Sequence, residues 1–530
     1  MRYVALFFFM LMSADIWAQD VPFAAIEVQD ELHIRLERNF LRLHEDKYQP
    51  QNVFLTDEES GFWPGDTEGR TLLAWVMDAQ ALHRQPLFLE QFIQLLPGHL
   101  NRLGYMGIVY DDVISEQQLS GNGWLLRGLC EYYEWKGDKR VLPVIKSVAQ
   151  NLFVKAKGRY KVYPIRPEQR RQEVGEASGT LQNVVDGWLL SSDIGCVFIG
   201  MDGLIHAYKY VGNKEMRAVI EEMIDRFLEI DLVGIKAQTH ASLTACRGLV
   251  RWGDLTHQRK YYEEAEKRWK LYKQYGMTPN YENYNWFARY DTWTEPCAIV
   301  DSYMLALQLW QRTGNVEYLQ DAERIYYNAL CHTQRVNGGF GCDTCPHDSV
   351  SILSIHAPEA HWCCTMRGAE GLATAARFSY TLCGDTLVLP FFRESLLTVG
   401  EEKTGVLTVE QKTDYPFGNE VVLVVKENTR GMQTVCIPCR PWVDNYRFTR
   451  NGKTLKPAAE KGFFAVQGDW QKGDTLRVTF NLKHSFSEHR IFYGPLILGA
   501  DADNSSQLTP VYHLMDPKVW NNDYRKKILF

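Results

Sequence analysis

The feature that most constrains the fold is a helical unit repeated in the first two thirds of the chain. Each copy is an amphipathic, aromatic-rich segment that ends at Gly followed by Asp or Asn. Copies occupy residues 130–138, 205–213 and 307–315, and a shorter one occupies residues 251–254. Because Gly can end one helix and Asp or Asn can cap the next, each copy predicts a helical hairpin. Repeated hairpins predict a toroid of about a dozen helices or a solenoid, and periodicity alone does not choose between them.

The sequence changes in character after Cys383. Residues 404–426 are rich in β-branched side chains. Val406 and Thr408 alternate in one short run and Val422 and Val424 in another, which is typical of strands. Asn451-Gly452 is a strong signal for a two-residue hairpin. These patterns predict an all-β sandwich after the helical region, and therefore a multidomain α+β protein. The predicted domains are a helical domain at residues 21–384, the sandwich at residues 385–505 and an extended tail at residues 506–530.

The N-terminus resembles a secretory signal peptide over residues 1–18. Arg2 supplies a positive charge, residues 4–12 are apolar, and small residues near Ala18 offer a cleavage site. No later segment reaches about 18 uncharged apolar residues, so we expect no membrane span and a secreted or periplasmic protein. The formal net charge of -7 argues against a basic surface, and nucleic acid is not an expected partner. We expect a monomer or a homodimer.

Carboxylates and thiols gather in residues 281–367 as nowhere else in the chain. Thiolates and carboxylates together suit zinc, which prefers four ligands. One candidate set is Cys342, Cys345, Cys363 and Cys364, which is close to an ordinary structural site with four thiolates. A disulfide between Cys342 and Cys345 is the alternative without a metal.

A second candidate set combines Glu295 and Cys297 with Cys363 and Cys364. Glu295 and Cys297 flank a proline and can converge on one ion if the backbone is extended there. Cys363 and Cys364 just precede a predicted helix, whose N-terminus favours thiolates. A site with one carboxylate and three thiolates could leave one sulfur available as a nucleophile. Spacing alone favours the set of four cysteines, although the chemistry of the residues does not decide between the two sets.

Several short motifs follow one another in a characteristic order. They are Thr239-His240-Ala241, Glu295-Pro-Cys297, Glu323-Arg-Ile-Tyr-Tyr-Asn328, Cys363-Cys364, Thr413-Asp-Tyr-Pro416 and Asn451-Gly452. Together they resemble glycoside hydrolase family 127, the β-L-arabinofuranosidases, over most of the chain. In that family the second motif reads Glu-Thr-Cys, and the cysteine pair stands in Cys-Cys-Pro-Pro-Asn.

The resemblance implies an (α/α)6 helical barrel followed by a β-sandwich. It also implies a retaining glycosidase with a zinc cofactor, which acts on an oligosaccharide or a plant-type glycan. The implied site residues are Cys363 as nucleophile, Glu282 as general acid/base, Glu295, Cys297, Cys363 and Cys364 as zinc ligands, and His240 and Asp66 as groups that bind sugar hydroxyls.

The chain departs from the family's pattern around the expected pocket. Glu282 stands in Asn-Tyr-Glu-Asn-Tyr rather than Gly-Glu-(Ala/Ser)-Phe, and Asn122 replaces a His. Residues 191–194 also lack a His that relatives carry, so the substrate can differ from β-L-arabinofuranose. The alternatives are a helical-barrel glycosidase or lyase that uses two carboxylates beside a structural zinc, and a non-catalytic carbohydrate-binding protein.

Overall fold

The structure is a computed structural model, and it describes residues 19–54, 63–171, 178–345, 352–487, 489–501, 504–515 and 525–528. The predicted signal peptide lies outside these residues. The α-helices in the described ranges are α1 (Glu31–Arg42), α2 (Pro50–Val53), α3 (Asp66–Leu82), α4 (Leu89–Leu95), α5 (Glu116–Lys136), α6 (Leu142–Val148), α7 (Ile199–Val211), α8 (Lys214–Leu228), α9 (Thr239–Thr256), α10 (Lys260–Tyr275), α11 (Pro296–Thr313), α12 (Val316–Ile325), α13 (Cys331–Thr333) and α14 (Cys364–Arg377).

Six helices form a closed inner ring. The order around the ring is α3, α5, α7, α9, α11 and α14, and α14 packs back against α3. The helices α1, α4, α6, α8, α10 and α12 pack outside the ring, each against one or two of its members. This alternation of inner and outer helices is the predicted (α/α)6 barrel, and the mixed fold class is confirmed.

Burial distinguishes the two layers of the barrel. Residues 116–130 of α5 are all buried, as expected for a helix enclosed by neighbours on every side. Gly123 of α5 lies against Gly200 of α7, where an added Cβ would come within 2.4 Å of the facing Cα. Small residues thus let the inner helices approach closely. Outer α8 is amphipathic instead, with buried residues at positions 216, 219, 220, 223, 224 and 227.

The predicted helix ends are correct in part. Gly314 has φ 69° after α11, and the side chain of Asn315 accepts a hydrogen bond from the backbone N–H of Glu317 at the start of α12. The predicted break at residues 251–254 is wrong, because α9 continues through Gly253 to Thr256. An added Cβ at Gly253 would lie 2.4 Å from the ring of Tyr262. That glycine serves close packing rather than a helix end.

The strands form a sandwich and two further sheets. The strands are β1 (Gln19–Asp20), β2 (Ile26–Val28), β3 (Ile114–Ser115), β4 (Leu181–Val185), β5 (Trp188–Ser191), β6 (Cys342–Asp343), β7 (Ile352–Ala357), β8 (Thr381–Cys383), β9 (Thr386–Val388), β10 (Ser395–Glu401), β11 (Gly405–Thr413), β12 (Glu420–Asn428), β13 (Thr434–Pro438), β14 (Val443–Arg450), β15 (Lys453–Leu455), β16 (Ala459–Glu460), β17 (Phe463–Gln467), β18 (Thr475–Leu482), β19 (His484–Ser487), β20 (Arg490–Tyr493), β21 (Leu496–Asp501), β22 (Asn504–Pro510) and β23 (Arg525–Ile528).

The sandwich packs a sheet of order β15-β14-β18-β12-β11-β10-β2 on one of order β1-β8-β9-β13-β17-β16. Phe448 of β14 and Phe464 of β17 meet between the sheets, with ring centroids 5.0 Å apart. Asn451 and Gly452 both have positive φ, and Arg450 pairs with Lys453 across them. This is the predicted two-residue hairpin. The N-terminal strands β1 and β2 join the sandwich from the other end of the chain.

A third sheet connects the barrel to the C-terminus. Its order is β19-β20-β21-β23-β7-β6, with β22 also paired to β21. Strands β6 and β7 lie between α13 and α14 in the chain, so this sheet is joined directly to the segment that precedes α14. The described part of residues 506–530 contains the end of β22 and all of β23. Across the described ranges, none of the helices combines the length and apolar character needed to cross a bilayer.

Candidate functional site

One carboxylate and three thiols converge where two inner helices begin. Ligand atoms of Glu295, Cys297, Cys363 and Cys364 all lie within 4.8 Å of one another. The Sγ atom of Cys364 is 3.6 Å from that of Cys297 and 3.3 Å from that of Cys363. Cys297 and Cys364 are buried, whereas Glu295 and Cys363 are partly exposed. The cluster therefore has a closed side and an open side.

Local sequence explains how the four side chains meet. Glu295 is the extended N-cap of α11, and Pro296 occupies the first helical position, where a missing N–H costs nothing. Cys363 is the N-cap of α14, and Cys364 is its first residue. Since α11 and α14 are neighbours in the ring, their N-termini lie side by side. Both helix dipoles then place partial positive charge near the cluster, which favours anionic ligands.

Arg70 approaches the cluster from α3. Its guanidinium donates to Cys297 Sγ over 3.4 Å and to the Asp66 carboxylate over 2.8 Å, and it stacks on Trp124. No local motif in the sequence marks Arg70. The i, i+4 spacing of Asp66 and Arg70 on α3 is the only signal that could have drawn attention to it.

The surroundings of the three thiols disfavour their thiolate forms. Burial raises the pKa of Cys297 and of Cys364 well above the usual value. For Cys363 the contact with Cys297 lowers the pKa, but the contact with Cys364 and burial outweigh it, so the pKa is also raised. A bound cation would reverse this, because a coordinated thiol is deprotonated.

The donor set fits a metal ion. Oε2 of Glu295 is buried, and within the described ranges it has no hydrogen-bond partner. A buried carboxylate oxygen without a donor is costly unless a cation binds it or a proton neutralises it. Three sulfurs and one oxygen in a compact group match the ligand types that zinc takes. The arrangement could hold such an ion with Cys363 on the accessible side.

The alternative set with four thiolates is not brought together. Cys345 Sγ donates to the backbone carbonyl of Asn283 over 3.5 Å. Cys342 lies next to Cys364, but Cys345 is not part of the compact group. Cys342 and Cys345 are both free thiols, so the disulfide alternative is also not formed. The geometry favours the mixed set.

His240 lies beneath the cluster rather than on an open wall. It is 2% exposed, with Nδ1 3.4 Å from Oε1 of Glu295 and Nε2 3.3 Å from Oδ2 of Asp301. Because His240 lies between the carboxylates of Asp301 and Glu295, it can fix the orientation of the Glu295 side chain. Asp66, the other predicted sugar-binding residue, is also buried and is engaged by Arg70.

A buried ion network surrounds Asp301 on the inner faces of the barrel. Asp301 accepts from Arg367 over 2.6 Å and also contacts Arg247, and Arg247 donates to Glu370 over 2.9 Å. All four side chains are at most 1% exposed. Because the ring encloses these charges, they pair with one another and hold the helices α9, α11 and α14 in register. Sequence reasoning did not find this network, because Arg247, Asp301 and the pair of Arg367 and Glu370 come from three separate helices.

Glu282, the predicted general acid/base, belongs to a second cluster. Its carboxyl lies with His332 and Asp343 in a group whose ligand-type atoms are within 4.8 Å of one another. Burial and the adjacent Asp343 raise the pKa of Glu282 well above its usual value. The link to the first cluster runs through Asn283, whose Oδ1 accepts from the backbone N–H of Glu295 over 2.9 Å.

Asp193 is a further carboxyl near the first cluster. It accepts hydrogen bonds from Ser178 and from the backbone N–H of Gly179, each over 3.1 Å. Burial, together with the negative charge of Glu295, raises the pKa of Asp193 to about 7. The only sequence signal for Asp193 is that it lies in residues 191–194, which lack a His that relatives carry.

The family model of the β-L-arabinofuranosidase GH127 middle domain matches residues 386–482. A solved GH127 β-arabinofuranosidase has a TM-score of 0.69 at 14% identity, with 93% of this chain and 87% of that chain covered. A GH127 β-L-arabinofuranosidase from Geobacillus stearothermophilus T6 gives 0.66 at 14% identity, with 90% and 86% covered. No curated protein matches the chain in sequence. The resemblance to the family is thus confirmed, and the solved structures show the fold.

Proposed function

We propose that the chain is a retaining glycoside hydrolase whose nucleophile is the Cys363 thiolate. The GH127 match and the similar structures indicate a glycoside hydrolase. The observation that carries the proposal is the compact group of Glu295, Cys297, Cys363 and Cys364, in which Cys363 lies on the accessible side. Glu295, Cys297, Cys363 and Cys364 would hold zinc. When bound, the ion lowers the pKa of the thiols and so supplies a thiolate at neutral pH.

The reaction proceeds in two displacements. The Cys363 sulfur attacks the anomeric carbon, and the bond to the departing glycosidic oxygen breaks while Glu282 donates a proton to that oxygen. A thioglycosidic bond then joins the sugar to Cys363. Water attacks the same carbon, Glu282 accepts a proton from it, and the sulfur leaves. Two displacements retain the configuration at the anomeric carbon.

The proposed substrate is a plant-type glycan outside the cytoplasm. The signal-like N-terminus supports the location, and the names of the similar structures support a substrate of the arabinofuranoside type. The sugar recognised need not be β-L-arabinofuranose. Asn122 takes the place of a family histidine, and its side chain is committed to holding nearby loops. Its amide donates to Pro64 O over 3.2 Å, and its carbonyl accepts from the N–H of Met106 over 2.9 Å. A side chain engaged in this way is unavailable to a sugar hydroxyl.

A panel of aryl glycosides that includes a β-L-arabinofuranoside tests the proposal. The wild type is assayed under reducing conditions with and without a strong chelator, beside Cys363→Ser. We expect turnover of at least one glycoside, loss of turnover with the chelator, and none in Cys363→Ser. Unchanged turnover in that variant would favour a mechanism with two carboxylates and a structural zinc. Glycan binding without any turnover would favour a carbohydrate-binding protein.

A further inference from the structure

The second cluster contains more titratable groups than the proposed reaction uses. Glu282, His332 and Asp343 are each at most 1% exposed, and their ligand-type atoms lie within 4.8 Å of one another. Arg335 joins them, because its guanidinium donates to Oδ1 of Asp343 over 2.8 Å. Only Glu282 has a role in the reaction as proposed so far.

The two carboxyls of this cluster have unequal surroundings. Asp343 accepts from Arg335, and its Oδ2 lies 3.3 Å from Nε2 of His332. Both oxygens of Glu282 are buried, and no donor in the described part of the chain gives either a hydrogen bond. An ionised Glu282 would therefore be a buried charge without a donor, beside a second negative charge. Both conditions favour its neutral form.

We infer that Asp343, held ionised by Arg335 and His332, is a positioning residue that keeps the catalytic proton on Glu282. The inference rests on the proposed role of Glu282 as general acid/base. Glu282 enters each cycle as the acid and gives its proton to the departing oxygen. The resulting carboxylate, beside Asp343, is a strong base toward the incoming water. The proton taken from that water restores the acid form, so Asp343 keeps its charge throughout.

The other titratable neighbours of Glu282 fit this assignment. Burial raises the pKa of Tyr272 on α10 and that of Cys345, so both stay neutral. Cys342 is the remaining thiol beside Glu282, and Arg335 is the cation that favours the carboxylate of Glu282. Burial alone would raise the pKa of Asp343, but Arg335 and His332 lower it below the usual value. Among these neighbours, Asp343 therefore supplies the negative charge beside Glu282.

The test compares Asp343→Asn with the wild-type holoenzyme. Asparagine keeps the shape and can still accept from Arg335, but it removes the charge. The alkaline limb of kcat/KM, where Glu282 loses its proton, should move to lower pH by about one unit or more. Cys345→Ser is the matched control, because it changes a neutral neighbour of Glu282 and should leave the limb in place.

Infrared spectroscopy provides a readout that does not depend on turnover. The band of a protonated carboxyl, assigned to Glu282 by its loss in Glu282→Gln, should persist in the wild type to a higher pH than the band of an ordinary carboxyl. It should disappear at lower pH in Asp343→Asn and at higher pH in Arg335→Gln, which removes a cation instead of an anion. If the pH at which the band disappears moves in opposite directions in the two variants, the charges of Asp343 and Arg335 control the proton on Glu282.

The outcomes separate the inference from the proposed function. A folded Asp343→Asn with an unchanged alkaline limb and an unchanged infrared band would overturn the role of Asp343. If Asp343→Asn does not fold, an unshifted band in Arg335→Gln would overturn it. Full turnover of substrates with poor leaving groups by Glu282→Gln would instead refute the acid/base role of Glu282. The infrared result would in that case still decide whether Asp343 holds the proton there.

Discussion

Replacing Cys297 with Ser should weaken zinc binding about 100-fold. Four ligands together contribute about 10–16 kcal/mol in structural zinc sites, so one ligand contributes roughly 3 kcal/mol. Since about 1.4 kcal/mol corresponds to tenfold in affinity, the loss of one sulfur amounts to about two powers of ten. Cys297 is buried and central to the group, with Cys364 Sγ at 3.6 Å and Arg70 at 3.4 Å, so its replacement removes a ligand atom from the middle of the site.

Cys345→Ser is the matched control for this prediction. Cys345 is also a buried free thiol, but its Sγ donates to the Asn283 carbonyl rather than joining the group. Zinc affinity is measured by competition with a chromogenic chelator under reducing conditions, and folding is followed by circular dichroism. We expect normal affinity in Cys345→Ser. Normal affinity in Cys297→Ser together with a large loss in Cys345→Ser would refute the ligand set drawn from Glu295, Cys297, Cys363 and Cys364.

Three further predictions follow from buried contacts. His240→Ala should weaken zinc binding about 10- to 100-fold, because His240 orients Glu295, whereas a role in sugar binding alone would raise KM and leave the metal content unchanged. Arg440→Met should lower the free energy of unfolding in denaturant by about 3–5 kcal/mol, since Glu323, which accepts from Arg440 over 2.8 Å, is left buried and unpaired. Adding Glu323→Gln should recover part of that loss, and no recovery would contradict the pairing. Burial and nearby arginines lower the pKa of His206 to about 3. The unfolded chain therefore binds more protons below about pH 6.5, so stability should fall as the pH drops from there toward 3, and His206→Gln should flatten that slope.

Local chemistry explains which helix ends could be predicted. Gly314 ends α11 through its own backbone conformation, and Asn315 caps α12 with its own side chain. The sequence of this pair is therefore enough to predict the helix end. Gly253 looks the same in sequence, but its role is to accommodate the ring of Tyr262 on the next helix. Tertiary contacts of that kind leave no local signal. Closure of the six-helix ring is likewise not decided by periodicity, which is compatible with a toroid and with a solenoid, and only the resemblance favours the closed ring.

In the candidate site, too, local motifs could be predicted from the sequence, whereas contacts between distant segments could not. Glu295 and Cys297 flank a proline, and Cys363 precedes Cys364, so each half of the group is visible as a short motif. The choice between Cys297 and Cys345 as a ligand needed the packing of α11 against α14. Side chains that act from other helices, such as Arg70 and Asp301, could not be found without the fold. The neighbours of Glu282 were hidden for the same reason, because Asp343 is 61 residues away.

The pairing of distant strands was equally out of reach. Strand β23 pairs with β7 across a wide gap in sequence, and β2 near the N-terminus pairs with β10 in the sandwich region. Alternation within a strand shows which face is buried but not which strand is its partner. Because the sequence does not identify strand partners, it predicts only an extended tail for residues 506–530.

The most direct measurement of the central claim is the mass of the protein quenched during turnover of an activated aryl glycoside. If Cys363 is the nucleophile, peptide mapping should find one sugar residue on the peptide that contains Cys363, and the adduct should be absent from Cys363→Ser. A sugar attached to a peptide that contains only carboxylates, with turnover continuing, would contradict the claim that a metal-held thiolate performs the displacement.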